Sequence, residues 1–145
     1  MEETQSNLFD PVDQLTDAST GKRFANYLID AIAFYALSFV LGMLLGLIAP
    51  QLFSNESSAT FISYIVAILA ILVYYTAFEG STGKSIGKLI TGTKVVTLNG
   101  DKITYKDAFL RSLSRLVPLE PLSIFFGTGS MWHDRWTDTM VVNAR

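Results

Sequence analysis

The sequence predicts an all-α membrane protein. It is read as a two-helix transmembrane hairpin, an amphipathic, proline-broken third membrane segment, and a small cytoplasmic β-hairpin joined by a C-terminal strand. Three observations carry this. Residues 31–55 and 57–78 contain no Asp, Glu, Lys or Arg, although the chain as a whole is 17% charged. Each stretch supplies the roughly 20 apolar residues that a helix needs to cross a bilayer core. Asn99-Gly100 lies between runs rich in Val, Ile and Thr, and Asn-Gly there marks a tight hairpin because both turn positions need positive φ.

At 145 residues the chain is one domain with a polar arm: 1–20 as the arm, 21–145 as the membrane domain. Half of the residues are hydrophobic and 12% aromatic. The absence of Cys removes disulfides, thiolate metal sites and a cysteine nucleophile, and a lone His133 builds no histidine-rich metal centre. No basic run suited to a phosphate backbone is present, so no nucleic-acid partner is expected. The Met-Glu-Glu start, net acidic through Asp17, is not expected to act as a secretory signal, which needs a basic opening followed by an apolar core.

Residues 1–20 are polar and largely without period, as expected of a flexible or surface-lying arm. Ser19 or Thr20 can cap the first span, which runs from about Arg23 to Ala49 and stops at Pro50. It opens on a polar stripe. Asp30 follows Arg23 by seven residues, nearly two helical turns, and Asn26 and Tyr27 fall on the same face. An ionisable group carried into the bilayer is costly and commonly marks function or a partner. Gly42 and Gly46 form a small-xxx-small pair where another helix can approach. After a loop at 50–58, the second span runs from about Ala59 to Phe78 and ends in Tyr74, Tyr75 and Phe78, an aromatic belt. Lys22 and Arg23 precede the first span, no base lies between the spans, and Lys84, Lys88 and Lys94 follow the second. The positive-inside rule then places the N-terminus and the segment after residue 80 in the cytoplasm.

Gly83-Lys84-Ser85 resembles the tail of a phosphate loop, but Phe78 stands where its leading Gly belongs, so no nucleotide is expected. The segment 80–92 reads instead as a membrane-surface piece in which Lys84 and Lys88 snorkel to headgroups. Residues 94–104 read as the β-hairpin, with Thr139–Val142 as a candidate third strand. Thr104 and Asp107 make a capping arrangement for a helix reaching about Val117, with Arg111 and Arg115 on one face. Pro118 and Pro121 break the remainder of 105–130, which either crosses or re-enters the membrane. Trp132 and Trp136 suit an interface.

These pieces together resemble the RDD family of small integral membrane proteins, over about residues 21–142. The resemblance rests on Arg23 and Asp30, on Gly83-Lys84 leading to Asn99-Gly100, on Leu110-Arg111, and on His133, Asp134, Thr139, Val141 and Val142. It implies that Arg23, Asp30 and Asp134 are the naming residues. The closing run departs from the family's: Asp138 stands at a Gly position and Trp136 at a Leu position. The resemblance also implies a part in transport of ions or small ligands or, as in a eukaryotic branch, a scaffolding role in a membrane complex.

The expected ligand or ion-pair cluster is therefore Arg23, Asp30, Arg111, Arg115 and Asp134, with Asn26, Tyr27, Glu79, Glu120 and Asp138 as secondary candidates. Asp30 reads either as an exchange site or as half of a structural ion pair, with Arg111 or Arg115 as the nearer partner. Asp134 is expected to pair with Arg23 or Arg115, Glu79 to sit at the headgroup level, and Glu120 to be buried or interfacial. No enzyme, cofactor or metal is expected. The expected partners are the lipid bilayer and either further copies of the chain or another membrane protein, and the expected location is the bacterial cytoplasmic membrane, multi-pass.

Overall fold

Residues 15–126 and 130–144 are described by the computed structural model. The first span is α1, Thr20–Ile48, capped by Ser19, whose hydroxyl accepts from the Lys22 amide at 3.3 Å. A 3-10 turn at Pro50–Phe53 leads to α2, Glu56–Thr82, capped by Asn55. The helices are 29 and 27 residues long, roughly 40 Å each at 1.5 Å per residue. Both are long and apolar enough to cross a membrane, and both exceed a core of about 30 Å.

Packing is confined to one end of this pair. The buried residues of α1 are Arg23, Asn26 and Asp30, and α2 buries nothing before Ala70. Farther out, Phe39, Leu47, Ile48 and Tyr64 are each more than two-thirds exposed. A Cβ added at Gly42 or Gly46 meets nothing within 4 Å, so neither glycine serves a contact inside the protomer.

Beyond α2 the chain reverses at Gly83 (φ +70°) into α3, Ile86–Thr91, capped by Ser85. Gly92, also left-handed, ends α3. Strand β1, Thr93–Thr97, pairs antiparallel with β2, Thr139–Asn143, in the register Val95 opposite Val141. This corrects the expected hairpin. The turn at Asn99-Gly100 is present, with the Gly100 amide on the Thr97 carbonyl at 2.9 Å. Its return arm, however, is a single bridge between Val96 and Lys102, and the expected third strand is β1's true partner. The end of the polar arm also joins this sheet. Asp17 bridges Val142, and the Ala18 amide donates to the Val141 carbonyl at 2.9 Å. Residues 1–14 lie outside the described residues. Val95, Val141, Ala18, Ile103 and Ala108 form a small apolar core.

Helix α4, Tyr105–Ser114, carries the full Thr104/Asp107 capping box and ends three residues earlier than expected. At ten residues it spans about 15 Å, half of a bilayer core. A 3-10 turn at Glu120–Phe125 and α5, Trp132–Trp136, follow. The polarity of α4 is inverted: Ala108, Arg111 and Ser112 are buried while Phe109, Leu110 and Leu113 are exposed. The helix lies tight against α2, because a Cβ at Gly80 would come within 2.3 Å of the Tyr105 ring.

Candidate functional site

The buried ends of α1 and α2 meet α3, α4 and α5 around two carboxylates that gather the cations. Glu79, fully buried, accepts from Lys88 Nζ at 2.8 Å and Arg115 Nη2 at 3.0 Å on one oxygen. Its other oxygen accepts from Arg111 Nε at 2.9 Å. Asp134, 1% exposed, takes Arg111 Nη1 at 2.7 Å and Arg23 Nη1 at 2.9 Å. Arg111 thus spans both acids and also donates to the Thr139 hydroxyl. Arg23 uses its remaining donors on the Ala18 and Val141 carbonyls, at 3.0 and 3.2 Å. A buried charge is tolerated when paired and hydrogen-bonded, and each of these charges has an ionic partner, although two guanidinium nitrogens, Arg111 Nη2 and Arg115 Nε, have no hydrogen-bond acceptor among the described residues.

Asp30 stands apart. Its carboxylate accepts from the Tyr74 hydroxyl at 3.1 Å, the Ser85 hydroxyl at 2.5 Å and the Gly87 amide at 2.7 Å. All three donors are neutral, and no ion pair forms with Arg23, Arg111 or Arg115 among the described residues. The expected arginine partner is corrected here. The approach depends on Gly87, where a Cβ would lie 2.5 Å from the Asn26 carbonyl oxygen. The bare backbone lets α3 press onto α1 and deliver its amide. Asn26 joins from the same face, donating to the Thr93 hydroxyl at 3.0 Å and accepting from the Thr91 hydroxyl.

Glu120 pairs with His133, Oε1 to Nδ1 at 2.5 Å, both at most 2% exposed. Burial raises the Glu120 pKa against the pull of Arg115, and burial followed by Arg115 and Arg111 holds His133 well below its usual range. Lys88 is likewise lowered by burial, opposed by Glu79. Arg115 is raised: burial works against its charge, and Glu79, then Tyr75, outweigh it.

The expected cluster is thus assembled, with its pairings rearranged. Arg23, Arg111 and Asp134 form one linked set, and Arg115 joins it through Glu79. Glu79 is corrected from the headgroup level to the centre of the network. Lys88 does not snorkel; it is 2% exposed and points inward. Tyr27 is half-buried and lines two small cavities. Asp138 lies outside, exposed on the turn before β2 with a left-handed φ of +50°. Sequence reasoning did not find Tyr74, Ser85, Gly87, Thr93 or Thr139. The glycines at 80, 83, 87 and 92 were the available sign that backbone, not headgroups, meets this segment.

One cavity of about 10 Å³ touches Asp30, Lys88, His133 and Asp134. Another, of about 180 Å³, lies between α1, α2 and the turn after α4, with Arg115 and Glu120 in its wall. Among the described residues no group of three or more His, Asp or Glu is placed to hold a metal ion.

No curated protein and no solved structure matches the chain. The RDD family profile matches residues 18–137, a range that contains every charged member of the buried cluster and stops just short of Thr139. With its two apolar helices of spanning length, the chain is a membrane protein and belongs to the RDD family.

Proposed function

We propose that the protein exchanges protons or small ions across the membrane as an oligomer. The observation that carries this reading is that two buried carboxylates, Asp30 and Glu120, stand without a cation in hydrogen-bonding contact. Each lines a cavity at the base of the spans. A carboxylate held by neutral donors can take and release a proton or a cation without dismantling the ion pairs beside it. Assembly follows from the bare outer halves of α1 and α2, since two spans are few for a pathway and Gly42 and Gly46 are free for another helix.

The reading places the N-terminus and the β1–β2 sheet in the cytoplasm. Lys22, Arg23, Lys84, Lys88 and Lys94 flank the spans on that side, and the 50–58 loop carries no base. The pairing of β2 with β1 and the short α4 support re-entry of 105–130 over crossing. Cysteines at Glu56 and Asp138, both exposed, are expected to label from opposite sides of sealed vesicles. Function is tested by proton and cation flux in proteoliposomes. Wild type is expected to show flux and Asp30→Asn to abolish it; no flux in wild type, or equal flux in both, refutes the reading.

A second reading, a scaffold that docks another membrane protein, is favoured by the open apolar groove between α1 and α2, which Leu41, Leu45, Leu69 and Val73 help to line. Crosslinking in native membranes separates the two: recovery of self-contacts alone removes the scaffold.

A further inference from the structure

The polar network is short of acceptors. Arg23, Lys88, Arg111 and Arg115 are all buried at the base of the spans. Opposite them stand Asp30, Glu79 and Asp134, and Glu120, which is hydrogen-bonded to His133. The shortfall is visible atom by atom. Arg111 Nη2 and Arg115 Nε are buried guanidinium nitrogens with no hydrogen-bond partner among the described residues. Ser38 Oγ, on the far half of α1, is the other such side-chain atom. Within the cluster, the unmet groups are donors on cations. A buried donor left unpaired costs about 1–3 kcal/mol, more when it is charged, and a ligand that supplies an anionic oxygen removes that cost.

Arg115 is the member with a place for such a ligand. Its side chain is 8% exposed, its guanidinium lies 4.0 Å over the Tyr75 ring, and it forms part of the 180 Å³ cavity. That volume equals roughly six waters at about 30 Å³ each. The rest of the wall is aromatic and apolar, with Tyr27, Phe34 and Ile71 opposite Arg115 and Glu120. The cavity sits between α1 and α2, whose outer faces are apolar. One charged donor set at the back and a greasy mouth suit an amphiphile with a negative head.

We infer that the cavity between α1, α2 and the turn after α4 binds a monoanionic amphiphile. Its carboxylate or phosphate lies against Arg115 and its apolar tail runs out past Phe34 and Ile71. The Tyr75 ring, 4.0 Å from the guanidinium carbon, limits the freedom of the Arg115 head. A hydrophilic anion of the same charge gains the head contact but forfeits the tail and binds more weakly. A cationic amphiphile gains the tail contact and meets Arg115. The inference concerns equilibrium occupancy and stands apart from flux, because binding is measurable whether or not the protein exchanges ions.

The test uses the full chain. In detergent, thermal unfolding is followed with dodecanoate and with dodecyltrimethylammonium at matched concentrations below micelle formation, since a ligand that binds the folded state raises the melting point. Dodecanoate is expected to raise it and dodecyltrimethylammonium to leave it unchanged. Ala31→Leu, which fills the cavity from α1 without touching the ion pairs, is expected to weaken dodecanoate binding at least tenfold. Arg115→Lys, which keeps a charge for Glu79 but removes the unpaired Nε, is expected to weaken it similarly. A parallel arm asks which source fills the site in a membrane. Native mass spectrometry from nanodiscs compares retained phosphatidylglycerol with phosphatidylcholine. Selective retention of phosphatidylglycerol, lost in Ala31→Leu, assigns a lipid headgroup. A dodecanoate shift without such retention assigns a free amphiphile. Equal shifts from the two detergentlike probes, no shift from either, or undiminished dodecanoate binding in Ala31→Leu overturns the inference.

Discussion

Replacing Glu79 by Gln probes the centre of the network with almost no change of volume. Gln keeps one acceptor oxygen and loses the charge that Lys88, Arg111 and Arg115 share at 2.8–3.0 Å. Arg111 retains Asp134 at 2.7 Å, so its loss is partial. Lys88 and Arg115 have no other acidic partner within ion-pair distance among the described residues. Removing one member of a buried pair costs about 3–5 kcal/mol, because the partner's charge remains buried without compensation. Two mechanisms hold the figure inside that range despite three partners. Lys88, whose pKa burial already lowers, can shed its proton, and Arg115 keeps the Tyr75 face at 4.0 Å. At about 3 °C per kcal/mol for a chain of this length, Glu79→Gln is expected to lower the melting temperature in detergent by about 9–15 °C. The double variant Glu79→Gln/Lys88→Met is expected to recover part of that loss, since it removes a stranded cation along with its acid. A shift below about 2 °C for the single variant, or a double variant as unstable as the sum of both singles, refutes the claim that the charges act as one network.

Three further outcomes follow from separate contacts. Gly87→Ala places a Cβ 2.5 Å from the Asn26 carbonyl oxygen, and the resulting retreat of α3 is expected to cost about 1–3 kcal/mol; its effect with Asp30→Asn should fall short of additive in thermal melts, since both loosen the same amide bond. His133, with its pKa lowered in the fold, contributes stability that is present above about pH 6.5 and lost on acidification as the unfolded chain takes up the proton. Glu120, with its pKa raised, contributes stability that is present below its unfolded value and lost as pH rises through its folded one, which opposes His133 in the weakly acidic window. Melting curves between pH 5 and 7 should therefore steepen in Glu120→Gln and reverse slope in His133→Asn. At Asp138, where φ is +50°, Asp138→Val is expected to cost about 1–2 kcal/mol because a β-branched residue resists the left-handed region; Asp138→Gly should cost nothing, and equal effects would contradict the turn geometry.

Much of the architecture was legible because its determinants are local. Uncharged runs, Pro50, the Ser19 cap and the Thr104/Asp107 box each act within a few residues, and each lies where expected. The partner of β1 was half legible. Val-rich 139–142 was recognised as strand-forming, but register between segments more than forty residues apart is written in three-dimensional packing. The charge cluster shows the same division. Residues that belong together were found by type, since an ionisable group beside an apolar run must be compensated. Their pairings depend on reach and angle: Arg111, a single side chain, contacts both Glu79 and Asp134, and no spacing rule foretells that. Lys88 was misread because snorkelling is the default for a lysine at a span end, and only the reversal at Gly83 brings it back onto Glu79. Asp30 was misassigned for a related reason. Opposite charges were sought for it, whereas two hydroxyls and a backbone amide satisfy it.

The charges of the cluster leave the ribosome in a fixed order. Arg23 and Glu79 belong to helices made early, while Asp134 follows Glu79 by 55 residues (134 − 79), about 3–11 s at typical translation speeds of roughly 5–20 residues per second. For that interval the nascent hairpin carries Arg23 without Asp134, and Arg111 emerges with half of its acids. Their pairing is complete only once α5 and β2 have arrived. A chain halted before residue 134 leaves Arg23 without its buried acid and Arg111 half-paired; the finished chain pairs both.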